Sequence, residues 1–270
     1  MAYTLSPKPN PQALINWRVA PASLVGCCPL IQGEDPTTTL EYVTRLPGDA
    51  TTFNAGATGQ TTWQSYGVNM NGGGTTGARS VQVSETSFLA MDRHRRTIAW
   101  AQRVLVQTPT LIMTNNESAG NPLSMFSIQA PEVAFPSNDV ISLNLGQRIS
   151  ATEASPGADF LDGTAGSTLI NEWHAIMVSW SDGTGADSAT GMAIWDNGVL
   201  VSSKATEINS SSPGALPITL GVTIDAPTAD FEYWYQFNEF IPSGNTLALK
   251  LYNNPYYFFG GGGSNKGLIL

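Results

Sequence analysis

The stretch EWHAIMVSWSDGTGADSATGMAIWDNGVLVSSK, residues 172 to 204, constrains the fold of this chain more than any other. Between Trp173 and Trp180 both alternating sets are apolar, with Trp173, Ala175 and Met177 on one side and Ile176, Val178 and Trp180 on the other. A strand with two apolar faces has to lie inside a layered β-structure. After the loop from Ser181 to Thr190, the run Met192 to Trp195 continues into Asp196-Asn197-Gly198-Val199. Asn-Gly suits the two positive-φ positions of a type I′ turn, whose twist matches that of the strands it joins. The pattern therefore predicts a hairpin with Trp195 opposite Leu200.

Other segments read the same way. Leu24 to Ile31, Ser80 to Met91, Thr97 to Val106, Thr110 to Met113, Met125 to Gln129, Val140 to Leu145, Leu216 to Ile224 and Asp230 to Phe240 are predicted strands bounded by Gly, Pro, Asn or Ser. Strict alternation in the last puts Phe231, Tyr233, Tyr235 and Phe237 on one face and Glu232, Trp234, Gln236 and Asn238 on the other. Residues 50 to 77, carrying Trp63 and Tyr66, read as a long loop or a β-excursion. Residues 245 to 252 fit either one short helix, with Asn245 at its N-cap, or a last strand. Residues 1 to 13, with Pro7, Pro9 and Pro11, read as an extended arm.

Composition agrees. Only 12% of the 270 residues are charged, against 41% hydrophobic, and turn-forming Gly, Ser, Thr, Asn and Pro take the place of charge. That mix suits many short strands and disfavours helices with charged outer faces. A net charge of −9, with no basic cluster beyond Arg93-His94-Arg95-Arg96, argues against nucleic acid as a partner. No apolar run approaches the roughly 20 residues of a membrane helix, and the opening residues MAYTLSPKPNPQALINW do not form a secretory signal. Cys27 and Cys28 are adjacent, without a second pair, and read as two ordinary thiols.

Four segments in order, INWRVAPASLVGCCPLIQGE, SFLAMDRHRRTIAWAQRV, NEWHAIMVSWSDGTG with MAIWDNGVLVSS, and FEYWYQFNEFIPSGNTLALKLYNNPYYFF, together resemble the concanavalin A-like, laminin-G-type jelly-roll proteins. The likeness is greatest to the single-domain versions encoded by bacteriophages, and it covers most of residues 14 to 259. Cys27 and Cys28 stand where that family has an aromatic residue. The resemblance implies an all-β, two-sheet antiparallel jelly-roll sandwich as one domain over residues 14 to 259. At most one short helix is expected, near residues 245 to 252. Residues 260 to 270 would then be a glycine tether followed by an apolar tail, Leu268, Ile269 and Leu270, expected to dock on a neighbouring subunit.

Function is less constrained, because this fold serves many activities. Glycoside hydrolysis needs two carboxyls roughly 5 to 9.5 Å apart across a cleft. The family's Glu-X-Asp-X-X-Glu spacing is missing here, and Asp230 and Glu232 share a face from which Glu239 is excluded. His94 and His174 have no nucleophile in a recognisable setting, so no enzyme activity is expected. Asp182 and Asp187 in the loop Ser181 to Asp187 could supply oxygen ligands to calcium, which laminin-G-type modules sometimes hold at a loop rim; a plain polar loop is the simpler expectation. Trp234, Trp180 and Trp63 are the candidates for stacking on sugars, Trp234 first because its neighbours on the strand face are polar.

Low charge density resembles the depletion found at the core of protein interfaces. On that ground the expected role is a non-enzymatic structural protein of a phage virion, made in the bacterial cytoplasm, either a head decoration (cement) protein or a head or tail fibre component. Such a protein would contact other virion proteins and further copies of itself. The alternative is a lectin-like adhesin that binds host-surface glycans.

Overall fold

The computed structural model describes residues 3–32, 38–39, 42–43, 51–55, 61–70, 79–82, 95–105, 111–116, 124–129, 142–145, 159–162, 171–182, 190–205, 219–220 and 229–259. In chain order these form β1 (Leu24–Cys28), β2 (Thr38–Thr39), β3 (Thr51–Ala55), β4 (Thr61–Gln64), β5 (Gly67–Met70), β6 (Arg79–Gln82), β7 (Arg95–Val104) and β8 (Leu111–Asn116). Then follow β9 (Ser124–Gln129), β10 (Ser142–Leu145), β11 (Asp159–Asp162), β12 (Trp173–Asp182), β13 (Thr190–Asp196), β14 (Val199–Lys204), β15 (Thr219–Leu220), β16 (Ala229–Phe237) and α1 (Leu247–Asn253).

Two antiparallel sheets result. The first runs β14-β13-β12-β7-β16-β5-β4, with β1 also on β16; the second runs β11-β10-β9-β8-β15-β6-β3-β2. β11 lies against β13 and β14, where the second sheet meets the first. The fold is the all-β, two-sheet sandwich expected from the sequence, and α1 is its one helix among the described residues. The segment 50 to 77 contributes strands β3, β4 and β5, so the β-excursion is the correct reading.

β12 has the two apolar faces its sequence requires. Its register with β7 sets Trp173 beside Arg103, Ala175 beside Ala101 and Met177 beside Ala99, while Ile176 lies beside Trp100 and Val178 beside Ile98. The hairpin forms as predicted: Asn197 and Gly198 have φ of 49° and 80°, and Trp195 pairs with Leu200. A Cβ on Gly198 would also come within 2.9 Å of the Leu249 Cα, so helix packing as well as dihedral angle requires glycine here.

The two faces of the first sheet are filled differently. One carries Ile98, Trp100, Ile176, Val178, Trp180, Met192, Ile194 and Trp234, all buried. On the other, Ala99, Ala101, Ala175 and Ala193 form a shallow floor beside Met177, Trp195, Tyr233, Tyr235 and Phe237. Small side chains at the floor leave room for a covering layer of large ones, as dense packing demands. Tyr3, Ile15, Leu247, Leu251, Tyr256, Phe258 and Phe259 supply that layer. The arm is thus extended but lies on its own sheet, and Ile15 bridges to Phe259.

Asn245 Oδ1 accepts the Leu247 N–H at 2.7 Å at the start of α1, with Thr246 in the cap position. Lys250 sits in the last turn, where a cation favours the helix dipole, and Asn254 is extended before Pro255. Cys27 and Cys28 are buried in β1 and form no disulfide.

Alternation fails along β16. β16 holds a bulge against β7: Phe231 pairs with Gln102 and Trp234 with Trp100, leaving Glu232 and Tyr233 opposite Ala101. The extra residue moves Phe231 onto the face of Trp234 and Gln236. Glu232 joins Tyr233, Tyr235 and Phe237, the reverse of the expected arrangement.

Candidate functional site

Four neighbouring strands bring one row of side chains together on the alanine-floored face. Trp173 of β12 pairs with Arg103 of β7, Arg103 with Asp230 of β16, and Asp230 with Asn69 of β5. Each strand supplies one member, so backbone register alone fixes their order.

The row is tightly bonded. Arg103 donates from Nε at 2.8 Å and from Nη2 at 2.5 Å to Asp230 Oδ2. Asp230 Oδ1 accepts from Tyr66 Oη at 2.6 Å and Asn69 Nδ2 at 2.7 Å. Tyr66 reaches Asp230 because the β4–β5 turn presses onto β16: a Cβ on Gly67 would stand 2.0 Å from the Phe231 carbonyl oxygen, and its φ is +148°. The guanidinium lies 5.3 Å from the Trp173 ring centre and 5.9 Å from that of Tyr66, and the two rings meet edge-on at 5.4 Å. Burial pushes the Tyr66 phenol above its ordinary pKa, and its hydrogen bond to Asp230 adds to this, so it stays a donor.

Asp230 is buried while the Arg103 side chain is 32% exposed, and Trp173, Tyr66 and Asn69 are half-buried. Nε and Nη2 of the guanidinium face Asp230, and the side chain as a whole is one third exposed beside Tyr66. Next to them stand aromatic faces held by neighbours. Such a surface offers flat apolar area for the C–H side of a sugar ring and planar donors for its hydroxyls.

Beyond Trp173 the aromatic strip continues to Tyr3, 6.3 Å away, and from Tyr3 to Tyr252 at 6.1 Å. Tyr3 Oη donates to Glu232 Oε2, and Tyr256 Oη donates to Glu232 Oε1 at 3.1 Å. The Ser6 N–H reaches Glu232 Oε1 at 3.3 Å. Lys8 Nζ donates to the Glu232 and Pro29 carbonyl oxygens. Burial raises the pKa of Glu232, an effect opposed by the Lys8 charge and the donors around the carboxylate; burial pushes Lys8 down to about 7.

Trp234 and Trp180, expected to stack on sugars, require correction. Each is 1% exposed. Both sit on the face away from the arm, and for Trp234 the bulge places Phe231 beside it and moves Glu232 to the other face. Trp63 is half-buried on the edge strand β4, in register with Val68 and away from the Arg103 row. Asp182 ends β12 opposite Thr190, and Asp187 lies outside the described residues, as do Leu268, Ile269 and Leu270. Among the described residues no group of three His, Cys, Asp or Glu side chains could hold a metal. His174 is buried and its Nδ1 meets the two Asp196 carboxylate oxygens at 2.9 and 3.0 Å. Glu239 accepts from Ser23 Oγ at 2.5 Å.

Sequence reasoning missed Arg103, Tyr66, Asn69 and the outward part of Trp173. It also passed over Trp17, which is 54% exposed beside Leu14 and Val19. The Asn16 Oδ1 next to Trp17 accepts from the Arg18 N–H at 3.2 Å.

No protein-family model matches the chain, and no curated protein does. Solved structures with the same architecture exist. One is botulinum neurotoxin type C, which depends for entering cells upon interaction with two ganglioside molecules; it is 14% identical with a TM-score of 0.56, over 86% of this chain and 51% of that one. Another is the binding domain of botulinum neurotoxin DC in complex with SialylT, 14% identical with a TM-score of 0.55 over the same shares. A third is the Trypanosoma rangeli sialidase, 12% identical with a TM-score of 0.53, over 87% of this chain and 33% of that one. The chain therefore spans about half the length of the botulinum chains and a third of the sialidase. What it shares with them is the β-sandwich fold.

Proposed function

We propose that this chain is a lectin-like, non-catalytic binding domain for glycans, with its site at Trp173, Tyr66, Arg103, Asp230 and Asn69. The observation that carries this reading is the cross-strand row itself, in which an arginine braced by a buried carboxylate lies against two half-buried aromatic rings that meet edge-on. Bracing fixes the donors before the ligand arrives, which lowers the ordering cost of binding. The architecture shared with ganglioside- and SialylT-binding neurotoxin structures supports the same ligand class.

A binding role fits the two carboxylates better than hydrolysis does. Asp230 is consumed by Arg103, Tyr66 and Asn69, and Glu232 is sealed behind Tyr3 and Tyr256. Charge depletion, the basis for expecting a virion structural protein, suits equally a surface that meets uncharged saccharide hydroxyls. The test is a glycan array probed with the full chain and with Arg103→Ala and Trp173→Ala. Saccharide binding by the full chain that falls about tenfold or more in both variants is the expected outcome, on the order of one lost charge-assisted hydrogen bond or stacking contact. Binding unchanged in both variants would place the site elsewhere.

A further inference from the structure

The buried Glu232 calls for a physical account, because an ionised carboxylate on a face of tyrosine, phenylalanine and alanine is costly unless it is fully bonded. Its acceptors are met by Tyr3 Oη, the Ser6 N–H and Tyr256 Oη, and the nearest cation is Lys8, whose ammonium donates to the Glu232 main-chain carbonyl. Two of the three donors and the cation come from residues 3 to 8. Tyr3 and Tyr256 both belong to the covering layer, and the arm, through Tyr3 and Ser6, supplies most of the bonding of this carboxylate.

The arm also reaches the glycan site. Tyr3, the residue bonded to Glu232, lies between Trp173 and Tyr252, with ring centres 6.3 and 6.1 Å away. Residues 10 to 13 close the strap with a turn, in which the Ala13 N–H meets the Asn10 carbonyl at 2.8 Å and the Gln12 N–H meets Asn10 Oδ1 at 2.8 Å. Asn10, Pro11 and Gln12 are exposed, and the turn is held to the rest of the molecule by the Tyr42 Oη bond to the Asn10 carbonyl at 3.4 Å, which fixes the end about which residues 3 to 9 would swing.

Resting on the glycan-binding reading, we propose that residues 3 to 9 are a strap latched by Glu232, and that the latched Tyr3 is a movable wall of the Trp173 site. Glu232 is then a positioning residue: it acts on the saccharide through Tyr3 and never touches it. Docked, the strap sets Tyr3 beside the Trp173 indole and completes the aromatic strip. Undocked, it leaves Trp173 supported by Tyr66 and Arg103 alone.

Three full-length variants separate the parts of this proposal. Tyr3→Phe keeps the ring and removes the strap's own hydroxyl donor. Glu232→Gln keeps the shape and weakens the acceptor. Tyr256→Phe removes a donor that does not belong to the strap. Hydrogen exchange at the Ser6 amide reports docking without any ligand. Binding of α2,3-sialyllactose and of the saccharides retained on the array reports the site. Tyr3→Phe and Glu232→Gln are expected to speed Ser6 exchange about tenfold and to weaken saccharide binding severalfold, on the scale of a hydrogen bond to a charged group. Tyr256→Phe should change Ser6 exchange less than either. Unchanged Ser6 exchange in both strap-side variants overturns the latch. Faster exchange with wild-type saccharide affinity overturns the coupling while the glycan reading stands. Failure of the wild-type chain to bind any saccharide defeats the glycan reading, and the gating role of Tyr3 falls with it.

Discussion

Asp230 and Glu232 lie two residues apart on β16, on the same face, and the fold uses them in opposite ways. Asp230 is paired in register between Arg103 and Asn69, and its arginine partner is a third exposed. Glu232 sits in the bulge, 0% exposed, where three hydrogen-bond donors and a lysine close around it. One carboxylate braces the partly exposed Arg103 side chain of the proposed glycan surface; the other bonds residues 3 and 6 of the arm. The difference is set by local backbone and neighbours, since the residue types are nearly equivalent.

Replacing each carboxylate should therefore damage different properties. Glu232→Ala leaves Tyr3, Tyr256 and the Ser6 amide without their acceptor and removes the carboxylate charge near Lys8, and is expected to cost about 3 kcal/mol of stability, read by denaturant unfolding. Equal stability of this variant and wild type would remove the basis for calling Glu232 structural. Asp230→Asn should cost only about 1 kcal/mol, because solvent reaches the Arg103 side, yet weaken saccharide binding about tenfold. A stability loss from Asp230→Asn as large as that from Glu232→Ala would erase the contrast.

Between these in size falls a change remote from both carboxylates. Gly198→Val forces a β-branched residue to φ near 80° and drives its Cβ against Leu249, so about 2 kcal/mol should be lost. Saccharide affinity of the folded fraction should not move. If it does, hairpin and site are coupled in a way the cross-strand row does not explain.

The smallest expected effect is a pH dependence on the Glu232 side. Lys8 in the folded chain has its pKa pushed down to about 7 by burial, whereas in the unfolded chain it keeps its proton to about 10.5. Between those values the unfolded state binds the extra proton, so stability should rise as pH increases from 7 toward 9. Glu232 works the other way. Its raised pKa favours the folded state in acid, a contribution lost as pH rises through the folded value. Tyr3, Tyr233, Tyr235 and Tyr256, the tyrosines around this cluster, have pKa values raised above the tyrosine range by burial and stay protonated throughout. Lys8→Met should flatten the rise between pH 7 and 9; an unchanged slope would show that Lys8 does not titrate there.

Where the sequence could be read, local pattern was sufficient. Asn197-Gly198 and the doubly apolar run from Trp173 to Trp180 specify their hairpin and central strand through dihedral preference and period-2 burial, and both hold. The helix over Leu247–Asn253 falls where the resemblance put it. Tryptophan exposure was misread because polar neighbours on a strand face were taken to mark solvent, whereas Gln102 and Gln236 are buried beside Trp234; the bulge between Phe231 and Trp234 exchanged the faces of Phe231 and Glu232, not that of Trp234. The Arg103 row was illegible because its members come from positions 66, 69, 103, 173 and 230, joined only by the register of four strands. No local signal marks Arg103, whose strand reads as an ordinary core element.

The central claim is that saccharide meets Trp173 and Arg103, not the tryptophans the sequence suggested. Indole N–H signals in two-dimensional NMR report this directly: the chain has seven tryptophans, and Trp173→Phe identifies the signal of Trp173. On titration with the best saccharide from the array, the Trp173 indole signal should shift progressively to saturation while those of Trp180 and Trp234 stay in place. A titration that moves the Trp180, Trp234 or Trp17 signal and leaves Trp173 unmoved would contradict the account.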